Sequence, residues 1–345
     1  MYRQSSRLFA RSRGGPGKWS LGLARGPEPV LGLIVLLQTL IVAVSGPATS
    51  PEYLPIRVAE GEGYFASEGL AVTVRTTRAE SGAAEALAQG QADLAATTLE
   101  AILRFGLRAA GQAPRLVFGL TAAPPVALVV GAAHVNTVRS INDLSALRVG
   151  VTTPGAPEHA WFGWLLARSG MSVAQVGVTS LGGRGVVSAI DSGEVHVALV
   201  PEPMATQLLD QGRAKLLADF RTPRAVVQTI GVGTVSAAVF TRSDRRPPDR
   251  DLFALGRALK RAEQRIRSGE APELAAKLST QVVGASEDFA ARLATSRSLY
   301  LQDGAVSADQ LQQTIAIIRA HTPLPQSVKI PRPEDMLQIK APSAR

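Results

Sequence analysis

The chain has 345 residues, 46% hydrophobic and 19% charged, a balance that supports a buried core and excludes a disordered or fibrous protein. Its net charge of +9 is unevenly placed, because Arg3, Arg7, Arg11, Arg13, Lys18 and Arg25 lie in residues 1–46 with Glu28 as the one acid, leaving 31 basic against 27 acidic groups after them. With aromatics at 5% and no basic stripe interleaved with stacking rings, nucleic acid is disfavoured as a partner; zero cysteines exclude disulfides, thiolate metal sites, a cysteine nucleophile and a lipid-modified N-terminal cysteine.

In chain order, the basic stretch leads into VLGLIVLLQTLIVAVSG (30–46), an uncharged run at the edge of spanning a hydrocarbon core of roughly 30 Å. It ends in a small-x-small pair, Ala43 and Ser45. Residues 1–46 are therefore expected to be a secretory signal peptide or an N-terminal anchor, with membrane contact through residues 30–46 if that segment is retained. The remainder is expected in the periplasm or otherwise outside the cytoplasm.

Beyond the leader, short β-like runs alternate with helical ones. IRVAE (56–60), AVTVR (71–75), ADLAA (92–96), RLVFGL (115–120), VALVVGA (126–132), LRVGV (147–151), VHVALV (195–200) and VSAAVF (235–240) read as strands, which predicts an α/β fold with mainly parallel sheets. A repeat stands out. Ala86, Leu87, Gly90, Leu94 and Ala95 recur 103 residues later as Ala189, Ile190, Gly193, Val197 and Ala198, each copy a helix, a glycine cap and a buried strand. Two related lobes are expected. Leu252, Leu255, Leu259, Ala262 and Ile266 mark a long surface helix capped by Asp249 or Asp251, and the Pro-rich residues 322–345 read as a tail over the surface.

In a crevice between α/β lobes, loops after strand C-termini and helix N-termini meet the ligand. Four loops fit: Ser81 and Gly82 at a helix start, Thr97 and Thr98 after a buried strand, Gly155 and Ala156 before a helix carrying Glu158 and His159, and Gly182 with Gly183 before the repeat's second helix. Singly, each is an ordinary cap or turn; their recurrence at corresponding places in two lobes makes them a candidate ligand site. The histidines His134, His159, His196 and His321 lack metal-binding spacing, so no metal site is expected, and His159 alone is carried as a ligand contact. No nucleophile elbow, P-loop or dinucleotide fingerprint occurs. The chain reads as a binder without cofactor or catalytic residues.

YLPIRVAEGEGYFASEGLAVTV (53–74), EALAQGQADLAATT (85–98), INDLSALRVGVTTPGAPEH (141–159) and SAIDSGEVHVALVPEP (188–203), taken in order, resemble the solute-binding proteins of nitrate, sulfonate, taurine and thiamine-pyrimidine importers over residues 52–320. The resemblance implies a two-lobed, type II periplasmic binding protein fold. One lobe would hold 52–124 and 238–320 and the other 127–235, hinged near 122–126 and 234–238. It further implies a monomer that captures a small polar organic solute between its lobes and delivers it to an ABC permease with its ATPase. By the same resemblance Tyr53, Thr121 and Glu202 join the ligand contacts. Ala156 stands where many relatives have a hydroxyl, and Glu158 adds negative charge; both count against an oxyanion ligand. Two alternatives are a pyrimidine-precursor synthase-like enzyme of the same fold, whose cysteine-rich signature is missing here, and a membrane-tethered ligand sensor.

Overall fold

A computed structural model describes residues 39–79, 81–105, 112–152, 157–326 and 329–337. The chain runs β1 (Leu40–Val44), α1 (Leu54–Gly61), α2 (Tyr64–Ser67), β2 (Val72–Thr76), α3 (Gly82–Ala88), β3 (Leu94–Thr98), α4 (Leu99–Phe105) and β4 (Pro114–Gly119). It then crosses to β5 (Val126–Gly131), β6 (Arg148–Val151), α5 (Glu158–Arg168), β7 (Gly177–Ser180), α6 (Gly182–Ser192), β8 (Val197–Pro201), α7 (Met204–Asp210), β9 (Ala214–Asp219) and α8 (Pro223–Ile230). It returns with β10 (Ala237–Arg242) and ends in α9 (Asp249–Ser268), α10 (Ala271–Ala275), α11 (Thr280–Val283), α12 (Ser286–Ser296), α13 (Ala308–His321) and α14 (Pro333–Met336).

Two five-stranded sheets result, ordered β2-β1-β3-β10-β4 and β7-β6-β8-β5-β9. In each, four of the five strands run the same way and one, β10 or β5, is antiparallel to both neighbours. The sheets are mainly parallel, as expected, and the one reversed strand makes each of them mixed. The reversed strand in each is the one that arrives from the other lobe, and it enters from the hinge side. The repeat holds: α3–β3 and α6–β8 occupy equivalent places, and Gly90 and Gly193 both turn the chain at positive φ, 71° and 72°, which only glycine adopts without strain.

The apolar run at 30–46 divides. Its last residues, Leu40–Val44, form an inner strand of the first sheet, with Ala43 opposite Ala95 and Arg75. Ser45 is buried, donating its Oγ hydrogen to Thr97 Oγ1 at 2.9 Å. The leader boundary at residue 46 is therefore corrected, and residues 1–38 of that expectation lie outside the described residues. A short uncharged β-branched run reads the same way whether it crosses a membrane or fills a sheet interior. No helix among the described residues is long and apolar enough to cross a membrane.

IRVAE, expected as a strand, is helical in α1, where Pro55 presets the first turn. Leu54, Ile56, Val58 and Ala59 are all buried, so no polar face revealed the helical period. The long helix α9 is as expected, but its cap is Pro248, with Asp249 and Asp251 in the first turn, where they face the positive end of the helix dipole. The tail does more than trail over the surface, since Met336 of α14 is fully buried in the core cluster that also contains Leu116 of β4 and Ile315 of α13. Helix α13 also packs on α5 of the second lobe. A methyl group added at Gly163 would come within 3.0 Å of His321 Nδ1.

The two crossings are tied together. Leu120 and Thr121 amides donate to the Ala237 carbonyl at 2.8 and 3.1 Å, the Ser236 amide donates to the Thr121 carbonyl at 2.8 Å, and Thr234 Oγ1 donates to the Ala122 carbonyl at 2.8 Å.

Two predictions follow from the core. The buried Leu40, Val42 and Val44 are worth about 5–9 kcal/mol together at about 1.5–3 each, comparable to a whole domain's stability of about 5–15 kcal/mol. A chain begun at Leu37 is expected to unfold cooperatively on heating by circular dichroism, and one begun at Pro47 is not. Glu263 of α9 is 1% exposed, and burial pushes its carboxyl up to about 8, with Asp303 acting the same way and Arg267 and Lys260 opposing. The 3.6 Å contact to Arg267 leads toward solvent and does not offset the desolvation. A carboxyl with a higher folded than unfolded pKa stabilises fully below about pH 4.5, and that contribution is lost as pH rises through about 8. Urea unfolding at pH 5 and pH 8.5 should therefore show a fall of about 2–5 kcal/mol that Glu263→Gln removes.

Candidate functional site

The C-terminal ends of β1, β3, β6 and β8 open into one cleft of about 970 Å³ between the sheets, the size of a small-molecule site. The first lobe supplies the segment after β1 (Gly46 to Glu52), Arg78, Ala79 and Ser81 before α3, Thr98 at the end of β3, Glu100, Ala101 and Arg104 of α4, and Arg292 of α12. The second supplies Val126, Thr152, Pro157 and Glu158, and Pro201, Glu202 and Pro203 after β8. Pro124 and Pro125 of a crossing form the floor, and Pro323 after α13 completes the wall. Eight of these 24 lining residues are prolines. They hold the loops at fixed φ and bring no N–H donors.

Of the expected contacts, Ser81, Thr98, Glu158 and Glu202 line the cleft. Gly155 and Ala156 lie outside the described residues. The cleft does not reach Tyr53, Thr97 or Thr121. Tyr53 is packed in the first lobe's core beside Ile56 and Leu54, Thr97 is turned inward onto Ser45, and Thr121 Oγ1 accepts the Ala237 amide at 3.2 Å inside the hinge. Gly82 is pressed on Thr77, Gly183 sits beside Met204 of α7, Gly182 is exposed at the start of α6, and His159 is half-buried one position past Glu158; none of the four is among the lining residues. Burial lowers the His159 pKa, with Glu158 opposing. Among the described residues no group of three His, Asp or Glu is placed to hold a metal.

Composition and motif spacing found Glu158 but passed over Arg78, Glu100, Arg104 and Arg292 of the cleft's charged set. Arg78 and Glu100 lie inside loops already recognised as candidates, so proximity to Ser81 and Thr98 was the available signal. Glu100 is buried and accepts a 3.0 Å hydrogen bond from Arg104, one turn along α4. Burial raises its pKa, Arg104 and Thr322 oppose, and Glu158 across the cleft raises it further. Glu158, also buried, accepts the Thr152 hydroxyl. Glu202 accepts from Thr206 Oγ1 at 2.8 Å and pairs at 3.3 Å with Arg221, which Asp219 holds at 2.9 Å. Arg292 spends its guanidinium on the carbonyls of Thr49 and Val282 at 2.8 and 3.1 Å, so it braces the cleft's rim.

With two lobes and a cleft between them in view, sequence and structure comparisons agree. A family model described as "NMT1/THI5 like" matches residues 50–224. The chain belongs to that family. Among solved structures, one of a protein from Bordetella bronchiseptica RB50 is 25% identical with a TM-score of 0.66, covering 87% of this chain and 94% of that one. The periplasmic aliphatic sulphonate binding protein SsuA from Escherichia coli is 17% identical with a TM-score of 0.66, over 84% and 95%. The periplasmic nitrate-binding protein NrtA from Synechocystis PCC 6803 is 15% identical with a TM-score of 0.54, over 85% and 83%. The fold is thus the two-lobed α/β fold of periplasmic binding proteins, and a solute-binding role fits the family. No curated protein matches the sequence.

Arg221→Ala would strand Glu202 and Asp219 at the back of the cleft without their shared cation. Removing one partner of a largely buried pair costs about 3 kcal/mol or more, and Glu202→Gln, which still accepts from Thr206, should cost less. Chemical denaturation of the two variants beside the parent chain checks the order.

Proposed function

We propose that the protein is an exported solute-binding component that captures a small polar organic solute in the interlobe cleft and delivers it to an ABC permease coupled to an ATPase. The observation that carries this reading is the cleft itself, walled by both lobes and floored by one of the two crossings among the described residues. A ligand that touches both walls stabilises the closed arrangement over the open one, and only such differential binding can drive closure. Family membership and the fold shared with periplasmic binding proteins support it. The protein works as a carrier without chemistry of its own and as a monomer. Its site is outside the cytoplasm, and the basic N-terminal segment serves as the export signal or anchor. Four predicted contacts, Ser81, Thr98, Glu158 and Glu202, belong to the ligand-binding set, joined by Arg78, Glu100 and Arg104.

Heat-unfolding scans against a panel of small polar metabolites are expected to show a rise with at least one compound. A ligand at 100 times its Kd adds about 2.7 kcal/mol to native stability. The same compound should reduce the radius of gyration in small-angle scattering. Folded protein that responds to no compound in either measurement contradicts the reading, and pyridoxal absorbance in purified protein would point instead to the enzymatic branch of the fold.

A further inference from the structure

The cleft holds one buried carboxylate with no cation paired to it among the described residues, while the lining Arg78 is exposed on the first lobe. Glu100 projects from α4 of the first lobe and Glu158 from α5 of the second, with relative exposures of 7% and 6%, and both line the same cavity. Arg104 neutralises Glu100. Glu158 has only the Thr152 hydroxyl, on Oε1; among the described residues its Oε2 receives no hydrogen bond and the carboxylate enters no ion pair. The two acids repel across the gap, which adds to the upward push that burial exerts on Glu100. Closing the lobes around a solute expels water from this pair and strengthens the repulsion. An uncompensated buried carboxylate is unfavourable in a closed site, so positive charge delivered beside Glu158 favours closure.

The neighbouring groups favour the same ligand chemistry. The other cleft carboxylate buried to this degree, Glu202, already has Arg221, and Arg292 is consumed by backbone carbonyls, so neither offers or needs a counter-charge. An oxyanion would require N–H donors, and a third of the described lining residues are prolines, which have none. A buried carboxylate on such a wall favours a donor-bearing solute over an oxyanion.

Building on the transport reading, we propose that the cleft selects a small organic cation, an ammonium- or amidinium-bearing solute whose charged group sits against Glu158. The ammonium donates to Glu158 Oε2 on the second lobe while the rest of the solute meets the first lobe's wall at Ser81 and Thr98. The ligand thus supplies the force that closes the lobes.

A desalted metabolite extract separated on a strong cation exchanger provides the test. The retained, cationic fraction is expected to raise the melting temperature and compact the protein in scattering, and the unretained fraction is not. Glu158→Gln should weaken the response to the retained fraction at least tenfold in the dose required, with methanesulfonate and nitrate as anionic controls giving none. If Glu158→Gln fails to fold, the comparison of the two fractions on the parent chain still decides. A response confined to the unretained fraction, or to methanesulfonate or nitrate, overturns the cation assignment while leaving solute capture standing. Silence toward every probe from folded protein overturns capture itself and the assignment with it.

Discussion

The rest of the molecule depends on a pair of antiparallel crossings bonded to each other. Thr121 is the centre of that tie. Its carbonyl accepts the Ser236 amide, its hydroxyl accepts the Ala237 amide, and its own amide donates to the Ala237 carbonyl. Because each crossing is short and the two are coupled, rotation of one lobe against the other is confined to a narrow axis, which is the geometry of a hinge. The same crossings feed each lobe its reversed strand, β5 in one direction and β10 in the other, so the hinge is continuous with both sheets.

A second connection limits the motion. Helix α13 lies against α5, and its Thr314 hydroxyl accepts the Val235 amide of a crossing at 2.9 Å. The apolar contact among Leu311, Ile315, Ile318 and the α5 residues Trp161 and Phe162 belongs to one continuous core cluster. The lobes are therefore bolted behind the hinge as well as joined through it.

Much of this was legible in the sequence because it rests on local rules. The strands β3, β5, β8 and β10 are runs of small and β-branched residues, the paired Gly90 and Gly193 mark equivalent turns, and α9 shows its helical stripe openly. β7 and β9 were missed because they are edge strands with mixed exposure, and β1 because an apolar run has no face to read. The site was half legible. Thr97 and Thr98 are consecutive in one strand, so their side chains leave on opposite faces; composition cannot tell which turns to the cleft and which to Ser45. Glu100 acquires its meaning only from Glu158, 58 residues away on the other lobe. That relation exists in the fold and nowhere in the motif.

The placement of β1 and β10 has a consequence for how the chain assembles. The second sheet draws every strand from residues 126–219, whereas the first needs residues 40–44 beside 94–98 and then 237–242 to insert between β3 and β4. Its inner strand comes last, across a long sequence separation that slows pairing. The second lobe can therefore complete as a contiguous unit while its partner waits, unfinished and with two unpaired strand edges, for residues 237–242 to arrive. A chain threaded through a pore from its N-terminus would emerge with the part that folds last in front.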